Sequence, residues 1–470
     1  MSNDAYCSSI GKSSLQTVFV EIESTKGTLQ RPTSAGFILP AGQVTMTQTP
    51  TFSDSDELSA SLNVTDQFKN AIPPAEISIP MLARMSATTA PQGNALFTAL
   101  MGVAQPNSTV TAALVAGIDA DDVSFDIDTV AGGDLPPVGV ISIGSEKVLY
   151  LKAAPHGSVA GQWTLSGCTR GYASTTAATA TANAVVTLFS RVWMQDVCRP
   201  SVSVWLKSDH TVFFAEGATV TAATVPLSDS GGQHVDFSLQ AKRMGWCGTS
   251  TVSAVTDSVV TLEGRGAYAY SKGAILQNKT KNDSNSNAGY TVTAVDTAAG
   301  RITLSPAPTG WGEDDVLVPW LPVGTGLGEA QAASAVRVLM EDATGIPVAD
   351  ELQSGSLNIG TPTSFATPIG TEYPIESADT KRDITIDCGL YFRKADVEKI
   401  GLGYKGNESA VVLTVGDTAG KKLAYALPRV KFSTPEPSSD GEFMTLTQKG
   451  KALGVSSLRD RESALYLVQI

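Results

Sequence analysis

The stretch TVFVEIESTKG (Thr17–Gly27) decides the fold of this chain, because a second version of it occurs as AVRVLMEDATG (Ala335–Gly345). Both stretches alternate apolar and polar residues, and both then run into a turn that ends in glycine. This pattern predicts a half-buried β-strand followed by a tight turn. The chain therefore contains one β element twice.

Two further matches follow in the same order. EISI (76–79) matches DITI (383–386), and VDFSLQAKRMG (235–245) matches MTLTQKGKALG (444–454). Three matches in one order indicate a duplicated domain rather than chance similarity. Two copies of a domain let one chain occupy two equivalent places in a ring, so the duplication favours a protein that forms an assembly.

The pattern predicts a mainly β protein with two homologous β-sandwich or barrel domains, each with one short helix, and two small β modules. The predicted segments are a polar arm (1–14), the first repeat (15–103 and 191–249) with an inserted β module (104–190), a second small β module (250–323), a linker (324–329) and the second repeat (330–470).

Within the repeats, glycine is expected to end each helix. We predict helices at Asn94–Met101, ended by Gly102, and at Lys394–Ile400, ended by Gly401. Residues 36–46 are predicted to form one strand. The polar stretch between that strand and Glu76 is bounded by prolines, and a loop of this length is uncommon unless it has a function.

Composition and charge narrow the function classes. The chain has 470 residues, of which 42% are hydrophobic and 17% charged, which is typical of a globular protein. The net charge of -13 disfavours a protein that holds DNA by neutralising phosphates, although an acidic surface could repel DNA beside it. The N-terminal sequence has no apolar signal region, and no apolar run approaches the roughly 20 residues that span a bilayer. We expect folding in a cytoplasm and no membrane partner.

The cysteines and histidines do not form a catalytic or metal-binding pattern. The five cysteines are spread along the chain without a C-x-x-C pair, which argues against a disulfide scaffold and a zinc site. Asp209-His210 is interpreted as a hairpin turn rather than a catalytic dyad. Neither a metal nor a catalytic group is predicted from these residues.

Two glycine-containing motifs are also discounted. Gly401-Leu-Gly-Tyr-Lys-Gly406 has the spacing of a dinucleotide fingerprint, but it follows a helix instead of a strand. Gly11-Lys12-Ser13 has no strand before it and lacks the first glycine of a phosphate-binding loop. Asp54, Asp56 and Glu57 lack the glycine and the bidentate glutamate of a calcium loop. We therefore predict no cofactor, and a protein that is not an enzyme.

The order of elements in each repeat resembles the major tail tube protein of long-tailed, siphophage-like bacteriophages. This order is an early strand pair (residues 18–22 and 36–46), a long polar loop, the strand at Glu76, a helix ending in Leu-Met-Gly102 and two closing strands near 218 and 235. The resemblance covers about half of the chain, in two copies. The two small modules are similar to the decorating inserts of phage structural proteins.

The resemblance implies a function in assembly. Tube domains pair edge to edge so that six of them close one barrel, and stacked barrels form a channel for DNA. Two domains per chain imply trimeric rings with pseudo-sixfold symmetry. The implied partners are further copies of the chain, a tape measure protein, and tail terminator and distal tail proteins; DNA would pass without specific binding. The implied location is the virion tail, assembled in the host bacterial cytoplasm.

The long loops are expected to reach the next ring. The predicted contact residues are Phe52, Asp54, Asp56, Glu57, Phe68, Phe365, Glu372 and Tyr373. Strand alternation does not reveal which face lines the channel. The external modules would leave little room for a sheath, so a non-contractile tail is expected.

Two other interpretations share the same composition. A carbohydrate-binding or adhesin-like surface protein would also lack catalytic groups, and it predicts exposed aromatic platforms. A glycan hydrolase would need two carboxylates placed across a bond, and the many carboxylates of the chain allow this.

Overall fold

The computed structural model describes residues 15–55, 66–86, 90–106, 108–133, 135–228, 230–326, 328–341, 345–350, 352–393, 397–440, 443–454 and 463–470. Strands contain 53% of the residues and helices 6%, so the predicted mainly β class is confirmed. In the described part of the chain, no helix combines the length and the apolar character needed to cross a membrane.

The first segment contains β1 (Gln16–Ile22), β2 (Phe37–Ile38), β3 (Thr45–Thr47), β4 (Phe52–Asp54), β5 (Gln67–Lys69), β6 (Ala75–Leu82), β7 (Arg84–Met85), helix α1 (Asn94–Met101) and β8 (Gly102–Gln105). The first module follows with β9 (Thr111–Leu114), β10 (Ser124–Ala131), β11 (Gly139–Ile143), β12 (Glu146–Tyr150), β13 (Lys152–Pro155), β14 (Trp163–Ser166) and β15 (Val185–Leu188).

The chain then returns with β16 (Arg191–Gln195), β17 (Val202–Ser208), β18 (Thr211–Leu227), β19 (His234–Ala241) and β20 (Arg243–Cys247). The second module is a closed barrel of β21 (Ser250–Thr256), β22 (Val259–Leu262), β23 (Ile275–Asn278), β24 (Tyr290–Asp296), β25 (Arg301–Ser305) and β26 (Val316–Pro319).

The last segment contains β27 (Glu329–Ala330), β28 (Arg337–Glu341), β29 (Pro347–Asp350), β30 (Leu352–Gly360), β31 (Thr363–Ala366), β32 (Glu376–Asp379), β33 (Asp383–Tyr391), helix α2 (Val397–Lys405), β34 (Glu408–Val415), β35 (Leu423–Phe432), β36 (Glu436–Asp440), β37 (Phe443–Ala452) and β38 (Tyr466–Gln469).

The strand pairings of the last segment follow those of the first. Strand β1 pairs with β2 and β17, as β28 pairs with β29 and β34. Strand β6 pairs with β3 and β19, as β33 pairs with β30 and β37. Strand β20 pairs with β18 as β38 pairs with β35. Helix α1 comes between β6 and β17 along the chain, as helix α2 comes between β33 and β34. The corresponding strands of the two segments therefore follow in the same order along the chain and pair in the same pattern.

One sequence match is out of register. The residue opposite Ser78 is Ser238, whereas the residue opposite its match Thr385 is Lys451, four positions beyond Thr447. Both matched strands pair with the corresponding strand of their own repeat, β6 or β33, but the alignment of residues 235–245 with 444–454 is displaced by four residues in these pairings. An even shift keeps the same side chains on the same face, so the alternating pattern cannot detect it.

Two expected elements differ from the structure in their boundaries. Residues 36–46 form two short strands, β2 and β3, instead of one. Helix α2 does not end at Gly401 but continues to Lys405, and Gly406, with φ of +67°, follows it. The predicted helix α1 is confirmed, and Gly102 caps it with φ of +119°.

Each small module covers the outer face of one set of strands. The first module shares a core with the second repeat through Val412, Ala424 and Val468, and β8 and β16 extend the same sheet beside β38. The second module packs on the first repeat, against Phe19 and Trp205. Alternate residues of the covered strands, such as Val18 and Val20, point into the main core on the opposite face.

Candidate functional site

The two repeats share one continuous antiparallel sheet. Its order is β3-β6-β19-β18-β30-β33-β37-β36, and every neighbouring pair is antiparallel. The junction between the repeats is the pairing of β18 with β30, from Ala222↔Gly360 to Leu227↔Gly355. We call these eight strands the shared sheet.

The shared sheet has one apolar and one polar face. Alternate residues such as Ile77, Phe237, Leu357 and Ile386 are buried in the main core. The register places the other set on the opposite face: Thr45, Thr47, Glu76, Ser78, Asp236, Ser238, Gln240, Thr224, Ser356, Asn358, Asp383, Thr385, Asp387, Thr447, Lys449, Lys451, Glu436 and Ser438. Such alternation is typical of a sheet with one solvated face.

Acidic groups prevail on the polar face. Among the residues named above, five carboxylates stand against two lysines, and both lysines lie on β37. The Lys451 ammonium lies 2.5 Å from the Asp383 carboxylate, and Lys449 lies opposite Asp387. Glu76 and Asp236, in the first repeat, lie on strands away from these lysines. The face thus carries net negative charge.

Arg199 ties the two repeats together beside the junction. Its guanidinium is 2% exposed and donates to both Asp379 carboxylate oxygens, from Nε at 2.8 Å and Nη2 at 2.6 Å. It also donates to the carbonyl oxygens of Val220 and Thr361, at 2.7 and 3.2 Å. Burial alone would raise the pKa of Asp379, but hydrogen bonds and charge from Arg199 lower it overall. A bidentate pair of this kind fixes geometry as well as adding energy.

Both edges of the shared sheet are open. Within the described residues, β3 pairs with β6 and β36 pairs with β37, and neither strand has a second partner. Their counterparts inside the chain, β30 and the second half of β18, pair with each other. Unpaired edges expose rows of N–H and C=O groups that can take up another strand. Each open edge of the shared sheet is therefore equivalent to one of the two strands that pair at the junction between the repeats.

The predicted contact residues of the first repeat form a hairpin. Phe52 and Asp54 lie on β4 and Phe68 on β5, and both phenylalanines are 56% exposed. The Asp54 carboxylate accepts a hydrogen bond from the Gln67 amide at 2.8 Å. Asp56 and Glu57 lie outside the described residues.

The structure brings the two long loops side by side. The Lys69 ammonium lies 2.5 Å from the Glu372 carboxylate, and the N–H of Ile72 donates to the carbonyl oxygen of Glu372 at 2.8 Å. The ring of Tyr373 lies 5.8 Å from the Arg243 guanidinium. Phe365 lies on β31, opposite Ser377. All the described members of the predicted contact set are therefore at one end of the shared sheet.

Two structural carboxylates were missed by sequence reasoning although the repeat contained the signal. Glu23 and Glu341 are each the seventh residue of the duplicated opening stretch. The Glu23 carboxylate accepts from the N–H of Gly217, and the Glu341 carboxylate from the N–H of Ala410, both at 2.7 Å. Each fastens the end of its opening strand to another strand of the same sheet, β18 for Glu23 and β34 for Glu341. Arg199, between a cysteine and a proline, had no comparable signal.

The three histidines and the six tryptophans are distributed over several elements of the fold. His210 lies in the turn between β17 and β18, as predicted, 3.5 Å from Asp209. The described residues contain no group of three or more histidine, cysteine or acidic side chains placed to hold a metal ion. Of the six tryptophans, all described, Trp246 is the exposed one, at 43%. The described residues therefore contain no surface cluster of tryptophans.

The chain matches no protein-family model, and no curated protein is similar to it in sequence.

Proposed function

We propose that this chain is the structural subunit of a phage tail tube, in which three copies form a ring around a channel for DNA. The observation that carries the proposal is the shared sheet, with its acid-rich polar face and two open edges. The duplication of a tube domain within the chain is part of the same proposal. Sequence order, strand pairing and the positions of the long loops all support it.

Ring closure would repeat the internal junction between copies. The edge of residues 432–440 in one copy would pair with β3 of the next, as β18 pairs with β30. Pro437 lies on this edge and Pro226 lies on β18 where it pairs with β30, so a proline is compatible with such pairing. Three copies of the eight-stranded sheet make twenty-four strands. Closed barrels of about 16 strands already leave an aqueous channel, so this one would be wide.

The polar face would line the channel. Its carboxylates would repel the phosphates of DNA, which would then pass without specific binding. The two modules cover strands on the other side of the main core from the shared sheet. They would therefore project outside the tube, which favours a tail without a sheath. The tape measure protein, the tail terminator and distal tail proteins, and a place in the virion tail are proposed from the family resemblance.

Electron microscopy of the purified protein would test the proposal. End-on class averages should show rings with a central channel and three repeating lobes. Rings with six identical lobes, or solid particles at concentrations that support assembly, would contradict a trimeric ring.

A cysteine pair can test the ring junction directly. Thr45 of one copy is the counterpart of Asn358, and the counterpart of Thr224 in the next copy is the segment 433–434, which lies opposite Lys449 where the register shifts between Phe432↔Gly450 and Glu436↔Thr447. Opposite residues of antiparallel strands lie about 4.5–5.5 Å apart between Cα atoms, within the range for a disulfide. We expect Thr45→Cys/Thr434→Cys, in a Cys7→Ser/Cys198→Ser background, to give covalent trimers on oxidation.

The readout is a non-reducing denaturing gel. A matched control replaces Thr434→Cys by Ser438→Cys, which lies four residues further along the same edge, opposite Thr445, and should not reach Thr45 of the next copy. A ladder of species larger than trimers would indicate an open filament, and monomers alone would contradict the proposed junction.

Replacing residues 52–58 with a Gly/Ser linker tests the loop. We expect rings to persist while long tubes are lost, because the loop lies at the end of the sheet and not at its open edges. The measurement is the length distribution of particles in negative-stain images. Tubes of normal length would contradict a role in stacking.

A further inference from the structure

Within the chain, the first repeat covers the edge of strand β38 in the second repeat. Strand β16 pairs with β38, and Trp193 lies opposite Leu467 there; both side chains are buried in the main core. The Trp193 indole lies against the Phe97 ring of helix α1, with centroids 5.6 Å apart, and donates to the Asn94 side chain at 3.2 Å. Strand β16 and helix α1 thus close the main core beside β38.

Strand β20 of the first repeat holds the place that β38 holds in the second. Val20 and Val338, which match in the duplicated opening stretches, lead through the same three strand pairings to Met244 and to Leu467. Trp246 lies two residues beyond Met244, on the same face of β20. Met244 is half-buried and Trp246 is 43% exposed, whereas Leu467 is buried. The main core is therefore less covered beside β20 than beside β38.

The backbone at this edge of β20 is already hydrogen-bonded. The N–H of Met244 donates to the Gln48 side chain at 2.9 Å, and the N–H of Trp246 donates to the Ser271 hydroxyl at 3.2 Å. The carbonyl oxygen of Trp246 accepts from the N–H of Ser271 at 2.9 Å. Strands add to an edge through free backbone groups. This edge instead offers side chains to a partner.

Helix α2 is exposed where helix α1 is buried. Each helix is followed directly by a glycine with positive φ, Gly102 or Gly406, so the two helices can be aligned on these glycines. Three aligned positions are buried in α1 and exposed in α2: Phe97 and Gly401, Leu100 and Tyr404, and Met101 and Lys405. Strand β34 follows α2 after only two residues, so the second repeat has no counterpart of β8 and β16 at this point to cover the helix.

The exposed side of α2 has a hollow beside an aromatic ring. A methyl group added at Gly401 would meet no atom within 4 Å outside its own turn of the helix. Tyr404, three residues further on, is a neighbour on the helix surface and is 83% exposed. A large side chain of a partner could lie in this hollow, as Trp193 lies against α1.

We propose that helix α2 of one copy packs against β20 of the next copy in the same ring, with Trp246 lying over Gly401 and beside Tyr404. The inference rests on the proposed tube function and adds a side-chain contact to the paired sheet edges. A ring that repeats the junction of β18 with β30 brings α2 of one copy to β20 of the next, as the first repeat lies beside β38 within the chain. This equivalence selects a second copy of the chain as the partner.

Two variants of the full chain test the contact. Variant A carries Gly401→Arg, which fills the hollow; because the position is open and lies inside a helix, this chain should melt at no lower temperature than the unmodified chain. Variant B carries Trp246→Ser. Each alone should associate at least about 30-fold more weakly than the unmodified chain, because an aromatic hot spot is worth about 2 kcal/mol or more and 1.4 kcal/mol is tenfold.

A mixture of the variants identifies the pairing. Helix α2 of variant B can dock on the intact Trp246 of variant A, and the resulting dimer has no further intact pair. The mixture should therefore give dimers without closed rings in sedimentation velocity. The control is Val185→Ser, which removes an apolar side chain that is 65% exposed on the first module, and it should form rings like the unmodified chain.

The outcomes separate this contact from the tube itself. Rings formed by variant A and by variant B as readily as by the unmodified chain would overturn the docking, would leave the tube in place and would assign Trp246 to another partner. A mixture that associates no better than either variant alone would also overturn it. An unmodified chain that forms no rings would contradict the tube, and this contact with it.

Discussion

Excising residues 249–323 and joining the ends with a short Gly/Ser linker is expected to give a chain that is not recovered as soluble protein. The ends of the module are adjacent, since Ser250 pairs with Leu317, so the linker itself can close without strain. Excision would expose Phe19, Trp205 and Phe214, which are at most 3% exposed in the intact protein. Burial of each such side chain contributes about 1.5–3 kcal/mol, and their sum approaches the stability of a whole domain.

The expected result separates two views of the module. If it were a detachable decoration, the excised chain would be soluble and would melt at the temperature of the intact protein. Our interpretation predicts insoluble protein, and partial recovery of solubility when Phe19, Trp205 and Phe214 are changed to threonine in the excised chain. Soluble yield and thermal unfolding measure both outcomes.

Arg199→Ala is expected to destabilise the protein by about 2–4 kcal/mol, because it removes the charged donor of the half-buried Asp379 carboxylate and one donor each from the buried carbonyl groups of Val220 and Thr361. The free energy of unfolding in urea measures the effect. Arg199→Ala/Asp379→Ala should cost less than the sum of the single changes, since the two residues form one network. Lys421→Ala, which breaks the exposed ion pair with Glu329, is the control and should cost at most about 1 kcal/mol.

The ion pair between Arg199 and Asp379 is expected to make the stability of the fold depend on pH. The pKa of Asp379 is lower in the folded protein than its usual value, so its ionised form stabilises the fold. This contribution is complete above the unfolded pKa of about 3.9 and is lost as pH falls through the lower folded value. Unfolding curves at pH 7 and pH 3 should therefore differ more for the unmodified protein than for Arg199→Ala. Equal differences would contradict the assignment.

The sequence by itself determined the mainly β class, helix α1 and the hairpin turn at Asp209-His210. These features depend on alternation and on glycine positions, which act over a few residues. The end of helix α2 was predicted wrongly because Gly401 lies inside the helix, where neighbouring structure outweighs its low propensity.

Only the tertiary structure decided how the matched elements meet. The pairing of β18 with β30 joins segments more than a hundred residues apart, and the sequence contains no marker for such a partner. The same is true of Arg199 with Asp379, which lie 180 residues apart, and of the module that covers Phe19. Local patterns predict which residues are buried. The register and the partner of each strand depend on long-range packing, because an even shift of a strand leaves its alternation of buried and exposed residues unchanged.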